Sequence, residues 1–235
     1  MTKKNKDEKY DNDEVYEAWS DTNIFCPLAS LLVDPLYYLN LTPNMITIIS
    51  TLFTLISIYF LHIKCDYLFI ILFLLGYILD CVDGKMARRY NMGSSIGMAL
   101  DLVSDDISHI ILFIYLLINK PLTQNNIFVS CIIFILLYML SLSYALNEAI
   151  STYNSTGCDN FYEKKYNELI NIKSTWYETI LYKLYLIINK FSYNNYKYLF
   201  PKYDIKKINY WQNILKHFGA GNYTIILIII LIYIN

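Results

Sequence analysis

The amino-acid sequence predicts an all-α protein: a multi-pass transmembrane helical bundle with an interfacial helix near its N-terminus. Three observations carry this reading. Hydrophobic residues make up 56% of the chain and gather into long uninterrupted runs, as membrane spans require. The cations between those runs are sided. Lys85, Arg88, Arg89 and the Lys-rich region 147–221 fall on one side of the implied membrane, and only Lys64 and Lys120 on the other. Positive loops mark the cytosolic side, which places the N-terminus there too. The 24 tyrosines suit a membrane–water boundary, where the ring is buried and the hydroxyl wet. A net charge of −1 gives no reason to expect nucleic acid as a partner.

The elements follow in order. Residues 1–23 are polar and charged and lack the apolar core of a signal peptide, so they read as a disordered cytosolic tail. Residues 24–39 are apolar but interrupted by Pro27 and Pro35, which fits a segment lying in the interface better than one crossing it. Thr42 and Pro43 are a helix-start pair, N-cap and first turn. The first span is Met45–Ile63, without a charge, and its Thr47, Ser50, Thr51, Thr54 and Ser57 are suited to close helix contacts. The second runs from Tyr67 to about Asp83, the third from Gly97 to Ile118 and the fourth from Ile127 to Leu146. Together, residues 24–146 read as a core of one interfacial segment and four spans. Residues 147–221 read as a polar, interfacial cytosolic region. Within it Trp176–Ile188, which holds Glu178 and Lys183, is expected to lie in the interface, and the sequon Asn154-Ser155-Thr156 to stay unmodified. Residues 222–235 form a short hydrophobic segment. Its run Tyr223–Ile234, preceded by Gly219 and Gly221, falls short of the roughly 20 residues a span needs. The five cysteines are scattered and read as free thiols.

The chemistry concentrates in DCVDGKMARRYNMGSSIGMALDLVSDD, Asp80 to Asp106. Carboxylates flanked by membrane-type sequence are costly and mark function by default. Asp80 and Asp83 share one helix face, and Gly97, Asp101 and Asp105 form a stripe on another. Turned toward each other, the two faces bring four carboxylates around one small space. Such a cluster stays ionised only with cations among it, and hard divalent ions such as Mg²⁺ or Mn²⁺ take oxygen ligands. A hairpin with buried Asp–Arg ion pairs would need neither the two glycines nor this spacing.

The stretch resembles the signature of the CDP-alcohol phosphotransferase family, D-x2-D-G-x2-A-R-x8-G-x3-D-x3-D. Asp80, Asp83, Gly84, Ala87, Arg88, Gly97, Asp101 and Asp105 fill every fixed position. A P-N-x-x-T element at Pro43, Asn44 and Thr47 is similar to one often found in the family. The resemblance implies an integral membrane enzyme of phospholipid synthesis that moves a substituted phosphate from a CDP-linked donor to an alcohol and releases CMP. It implies two Mg²⁺ or Mn²⁺ ions held by Asp80, Asp83, Asp101 and Asp105, with Asp105 also the general base. Asn44, Thr47, Gly84, Ala87, Arg88, Ser94 and Gly97 would surround the donor. It further implies a multi-pass protein, in an endoplasmic-reticulum-type membrane if the source is eukaryotic, with a cytosolic active site and room for a homodimer. The wording D-G-K-x-A-R-R, Asp83 to Arg89, looks like choline and ethanolamine phosphotransferases. G-x2-L-D-x3-D, Gly97 to Asp105, looks closer to synthases that use CDP-diacylglycerol, and the short chain leans the same way. Family members typically show six spans, so a reduced C-terminal part leaves an inactive homologue as the alternative. A cation transporter would have no use for D-G-x2-A-R. His109, one turn beyond Asp105, reads as a satisfied helix histidine.

Overall fold

The computed structural model describes residues 17–119 and 124–234, and among them the chain forms nine α-helices and no strand. A π-helical turn at Asp21–Phe25 leads into α1 (Cys26–Tyr38). Then come α2 (Pro43–His62), α3 (Asp66–Arg89), α4 (Ser95–Asn119) and α5 (Gln124–Thr156). The C-terminal part holds α6 (Phe161–Ile170), α7 (Trp176–Leu199), α8 (Ile205–Leu215) and α9 (Ala220–Ile234).

The first three helices end in the same way. Asn40, Lys64 and Asn91 take positive φ, of 59°, 58° and 53°. In each case the next N–H bonds back to a carbonyl five residues earlier: Leu41 to Leu36, Cys65 to Phe60 and Met92 to Ala87. This is the left-handed cap that satisfies the last carbonyls of a helix and reverses the chain. Thr42 opens α2 by accepting from the Met45 N–H at 3.4 Å, the N-cap read from the sequence.

The reversal at Lys64 lays α3 antiparallel on α2. Thr47 meets Asp83, and seven residues further along α2 Thr54 meets Gly76, seven residues back along α3. A Cβ at Gly76 would stand 2.6 Å from Thr54 Oγ1 and 3.1 Å from the Ser50 carbonyl, so the helices touch there backbone to backbone. α1 lies against α3. It buries Ala29 and Val33 and leaves Leu28, Leu31 and Tyr38 exposed.

α2, α3 and residues 128–156 of α5 are long and apolar enough to cross a membrane. At most 33% of each apolar stretch is buried in the protein, and each leaves large apolar side chains exposed, among them Ile48 and Leu52 of α2 and Ile71 of α3. The expected third span, α4, has the length of one, at 25 residues, with Asp101, Asp105 and Asp106 in its N-terminal half. The C-terminal end differs. Ile205–Phe218 and Ala220–Ile232, bent by 40° at Gly219, together have the length and composition of a broken span.

Three other expectations shift. The tail expected over 1–23 ends earlier, because the chain is helical from Trp19 and Asp21 is buried; residues 1–16 lie outside the described residues. α5 runs ten residues past Leu146, to Thr156. The segment expected to lie in the interface, Trp176–Ile188, is the first half of the 24-residue α7. That helix buries Tyr182, Tyr185, Asn189, Ser192 and Tyr196, at helical spacing, inside the bundle. Tyr182 and Tyr185 pack on Ala99 and Val103 of α4. The five cysteines are free, as expected.

Candidate active site

The site lies where the start of α2, the end of α3 and the start of α4 converge. The cap at Asn91 stops α3 just after Arg88 and Arg89, with the Ala87 carbonyl taking the Met92 N–H at 2.9 Å. Ser94 then starts α4, its Oγ accepting from the Gly97 N–H at 3.0 Å. Local turn chemistry therefore sets the two carboxylate-bearing helices beside each other.

One carboxylate oxygen from each of Asp80, Asp101 and Asp105 lies within 4.8 Å of the others. Asp80 and Asp101 are half-buried and Asp105 is the most open. Asp83 is buried, with Oδ2 accepting from Thr47 Oγ1 at 2.5 Å. It also accepts from the Gly84 N–H and sits within electrostatic reach of Asp80 and Asp101. All four sequence-predicted aspartates thus share one neighbourhood. Three have mutually accessible oxygens, and the fourth has an oxygen committed to Thr47. Oxygens around one Mg²⁺, bound at about 2.0–2.1 Å, stand at most about 4.2 Å apart. A set of carboxylate oxygens within 4.8 Å needs only a small contraction to reach that, so the donor chemistry and spacing fit a hard divalent ion.

Of the remaining predicted residues, Asn44, Ser94 and Gly97 meet one another, and Gly84 meets Arg88. Asn44, on the first turn of α2, reaches Gly97: a Cβ there would be 2.7 Å from Asn44 Oδ1 and 3.0 Å from Ser94 Oγ. Gly84 has a different neighbour from the one the sequence pointed to. The space over it is taken by the Arg88 guanidinium, 3.2 Å from where a Cβ would be. The missing side chain at Gly84 therefore makes room for Arg88 as well as for any nucleotide. His109 donates from Nδ1 to the Asp105 carbonyl at 2.8 Å and packs its ring 5.3 Å from that of Tyr223. It is the satisfied helix histidine expected.

Sequence reasoning missed two supports. Asp34 of α1 takes Arg89 Nη1 and Tyr90 Oη, each at 2.7 Å, while Tyr37 stacks on Tyr90 at 3.6 Å. Arg89 above all, with Tyr90, holds the Asp34 carboxyl below the usual range. The same bond pushes the Tyr90 hydroxyl up to about 12. These contacts bind α1 to the turn between α3 and α4. The second support is Asp21, which accepts from Tyr77 Oη at 2.6 Å and from the Gly221 N–H at 3.1 Å. Partners this distant in sequence leave no local signal; the only trace was the glycine pair ahead of the last apolar run.

Comparison with known proteins adds three findings. The chain is 28% identical over 120 residues to an uncharacterized protein of Aquifex aeolicus (strain VF5), a match covering 50% of this chain and 61% of that protein. The chain thus spans about three-fifths of the length of this curated relative. No solved structure matches it. The model of the CDP-alcohol phosphatidyltransferase family matches residues 40–187, a stretch that holds α2, α3, α4 and every aspartate of the cluster. The chain belongs to the CDP-alcohol phosphatidyltransferase family.

Proposed function

We propose that this protein is an integral membrane enzyme that transfers a substituted phosphate from a CDP-linked donor, CDP-diacylglycerol by preference, to an alcohol, releasing CMP. The observation that carries this is the meeting of the Asp80, Asp101 and Asp105 oxygens within 4.8 Å, beside Arg88 and the Asn44–Gly97–Ser94 contact. In this reading the four aspartates hold two Mg²⁺ or Mn²⁺ ions, with Asp83 steadied by Thr47. When bound, the ions supply Lewis-acid neutralisation of the diphosphate oxygens.

The chain's own residues do the rest. Arg88 offers the diphosphate a planar fork matched to paired oxygens. Asn44, Thr47, Ala87, Ser94 and the bare backbone of Gly84 and Gly97 shape the nucleotide side. Asp105, the most open carboxylate, takes the hydroxyl proton of the acceptor onto its own oxygen. The alcohol oxygen forms a bond to the β-phosphorus, and the bond from that phosphorus to CMP breaks, with the electron pair leaving on CMP. The apolar helices support a reaction at a membrane surface, and the charge of the loops supports a cytosolic site. Bilayer lipids and a second copy of the chain are the further partners in this reading.

The test is incubation of the purified protein with CDP-diacylglycerol, CDP-choline or CDP-ethanolamine, a panel of alcohols and Mg²⁺ or Mn²⁺. Release of labelled CMP from CDP-diacylglycerol, lost in excess chelator, is the expected result. Release only from CDP-choline or CDP-ethanolamine with diacylglycerol would assign the other branch. No release from any donor would mark an inactive homologue.

A further inference from the structure

Gly219 and Gly221 lie outside the carboxylate cluster, yet each is pressed against the N-terminal segment. A Cβ at Gly219 would be 2.9 Å from Ala18 Cβ, and one at Gly221 would run into Asp21 Oδ1 and Ser20 Oγ. The segment is also bonded there. Asp21 accepts from the Gly221 N–H, and the Ser20 N–H donates to Asn222 Oδ1 at 3.3 Å. The same Asp21 carboxylate takes Tyr77 Oη at 2.6 Å, and the edge of Phe25 meets the Tyr77 ring at 4.8 Å. Three parts of the chain, around residues 21, 77 and 221, therefore join at one carboxylate.

The junction sits behind the carboxylate cluster. Tyr77 precedes Asp80 by three residues on α3, so both lie on one side of that helix. Two residues beyond Gly221, the Tyr223 ring meets His109 of α4, whose Nδ1 bonds to the Asp105 carbonyl. Further on, Leu227 and Leu231 enter the core shared by Phe73 of α3 and Leu112 of α4. α9 thus touches both helices that carry the cluster, and α2 packs against each of them as well.

We infer that Asp21 and Tyr77 are positioning residues for the carboxylate centre: they lock α9 in place as a wedge that fixes the spacing of α3 from α4, and with it the reach from Asp80 to Asp101 and Asp105. The inference rests on the metal-binding reading of that centre. Outer partners that orient metal ligands are worth about 10–100-fold in affinity when removed.

The probe is Mn²⁺ alone, titrated into the full chain in detergent and followed by the electron-spin signal of the free ion, with no donor present. Tyr77→Phe keeps the ring against Phe25 and removes only the hydroxyl. Its Mn²⁺ affinity is expected to fall about 10-fold, with melting temperature and monodispersity retained. The Mn²⁺ concentration that half-saturates CMP release should rise by the same factor. Asp21→Ala should lose more, and Asp21→Asn, whose amide oxygen can still accept from the Gly221 N–H and whose NH2 can donate to Tyr77 Oη, should recover most of the loss. A purely structural latch would lower the melting temperature and leave Mn²⁺ affinity alone. Wild-type affinity in both Tyr77→Phe and Asp21→Ala overturns the inference while the metal reading stands. If the wild type binds no Mn²⁺, the metal reading fails and the inference with it. If Asp21→Ala does not fold, Tyr77→Phe decides the question.

Discussion

Gly97→Ala is the sharpest small perturbation of the donor side. The added methyl would lie 2.7 Å from Asn44 Oδ1 and 3.0 Å from Ser94 Oγ, so both polar groups must give way. Over-packing of this kind costs about 1–3 kcal/mol, and disturbing the Ser94 cap about 1 kcal/mol. Replacing glycine by alanine in a helix returns about 0.5–1 kcal/mol. The balance is a destabilisation of about 1–3 kcal/mol, seen as a lowered melting temperature in detergent. The donor should suffer separately. Displacing the Asn44 carboxamide removes a hydrogen bond worth about 0.5–1.5 kcal/mol, and 1.4 kcal/mol is about tenfold in affinity. Isothermal titration with a CDP-linked donor should show a loss approaching tenfold. The control is Gly93→Ala, in the turn just before α4, where a Cβ meets nothing within 4 Å; it should leave both readings unchanged. A Gly97→Ala protein that melts and binds donor like the wild type would refute the role given to the Asn44–Gly97–Ser94 contact.

Three further outcomes are expected. Asp105→Asn should cut single-turnover CMP release by about 10²–10⁴-fold with donor affinity changed far less, whereas Asp80→Asn should lose metal and donor binding together; equal loss of donor binding in both would make Asp105 chiefly a ligand. Burial raises the Asp21 carboxyl above 3.8, against the opposing bonds from Tyr77 and Gly221. The fold therefore favours its protonated form, and this contribution to stability, full below about pH 3.8, is lost as pH rises through the raised value. Asp21→Asn should flatten that part of the melting-temperature profile, and an unchanged profile would remove Asp21 as its source. Single cysteines placed at Lys85 and Lys120 should label from opposite sides of sealed vesicles, and labelling from the same side would defeat the orientation drawn from loop charge.

The legible part of the site was the part written locally. Asp80, Asp83, Asp101 and Asp105 announce themselves by helical spacing in apolar surroundings, and Thr42-Pro43 announces the start of α2. Two segments carry conflicting signals. α4 is long enough to span yet carries three aspartates, and α7 hides a buried stripe of Tyr182, Tyr185, Asn189, Ser192 and Tyr196 behind residues that read as interfacial. A tyrosine serves equally well at a membrane boundary and in a protein core, so composition could not choose between them. The Asp21 junction was illegible for another reason: its partners are 56 and 200 residues away, and no periodicity reaches that far.

The contacts of α1 have a bearing on where chemistry occurs in depth. Leu31 and Tyr38 project outward from this helix, while Asp34 and Tyr37 grip Arg89 and Tyr90 at the far end of α3. A helix expected from its sequence to ride at the boundary between acyl chains and headgroups is thereby tied to the turn that leads from Arg88 to Ser94. The helix acts as a float and the turn as its keel: the level at which α1 rides sets the level of the reacting phosphate. In the proposed CDP-diacylglycerol reading, the donor's own acyl chains would carry its diphosphate at that same level, and it would meet the aspartates by sliding sideways in the leaflet.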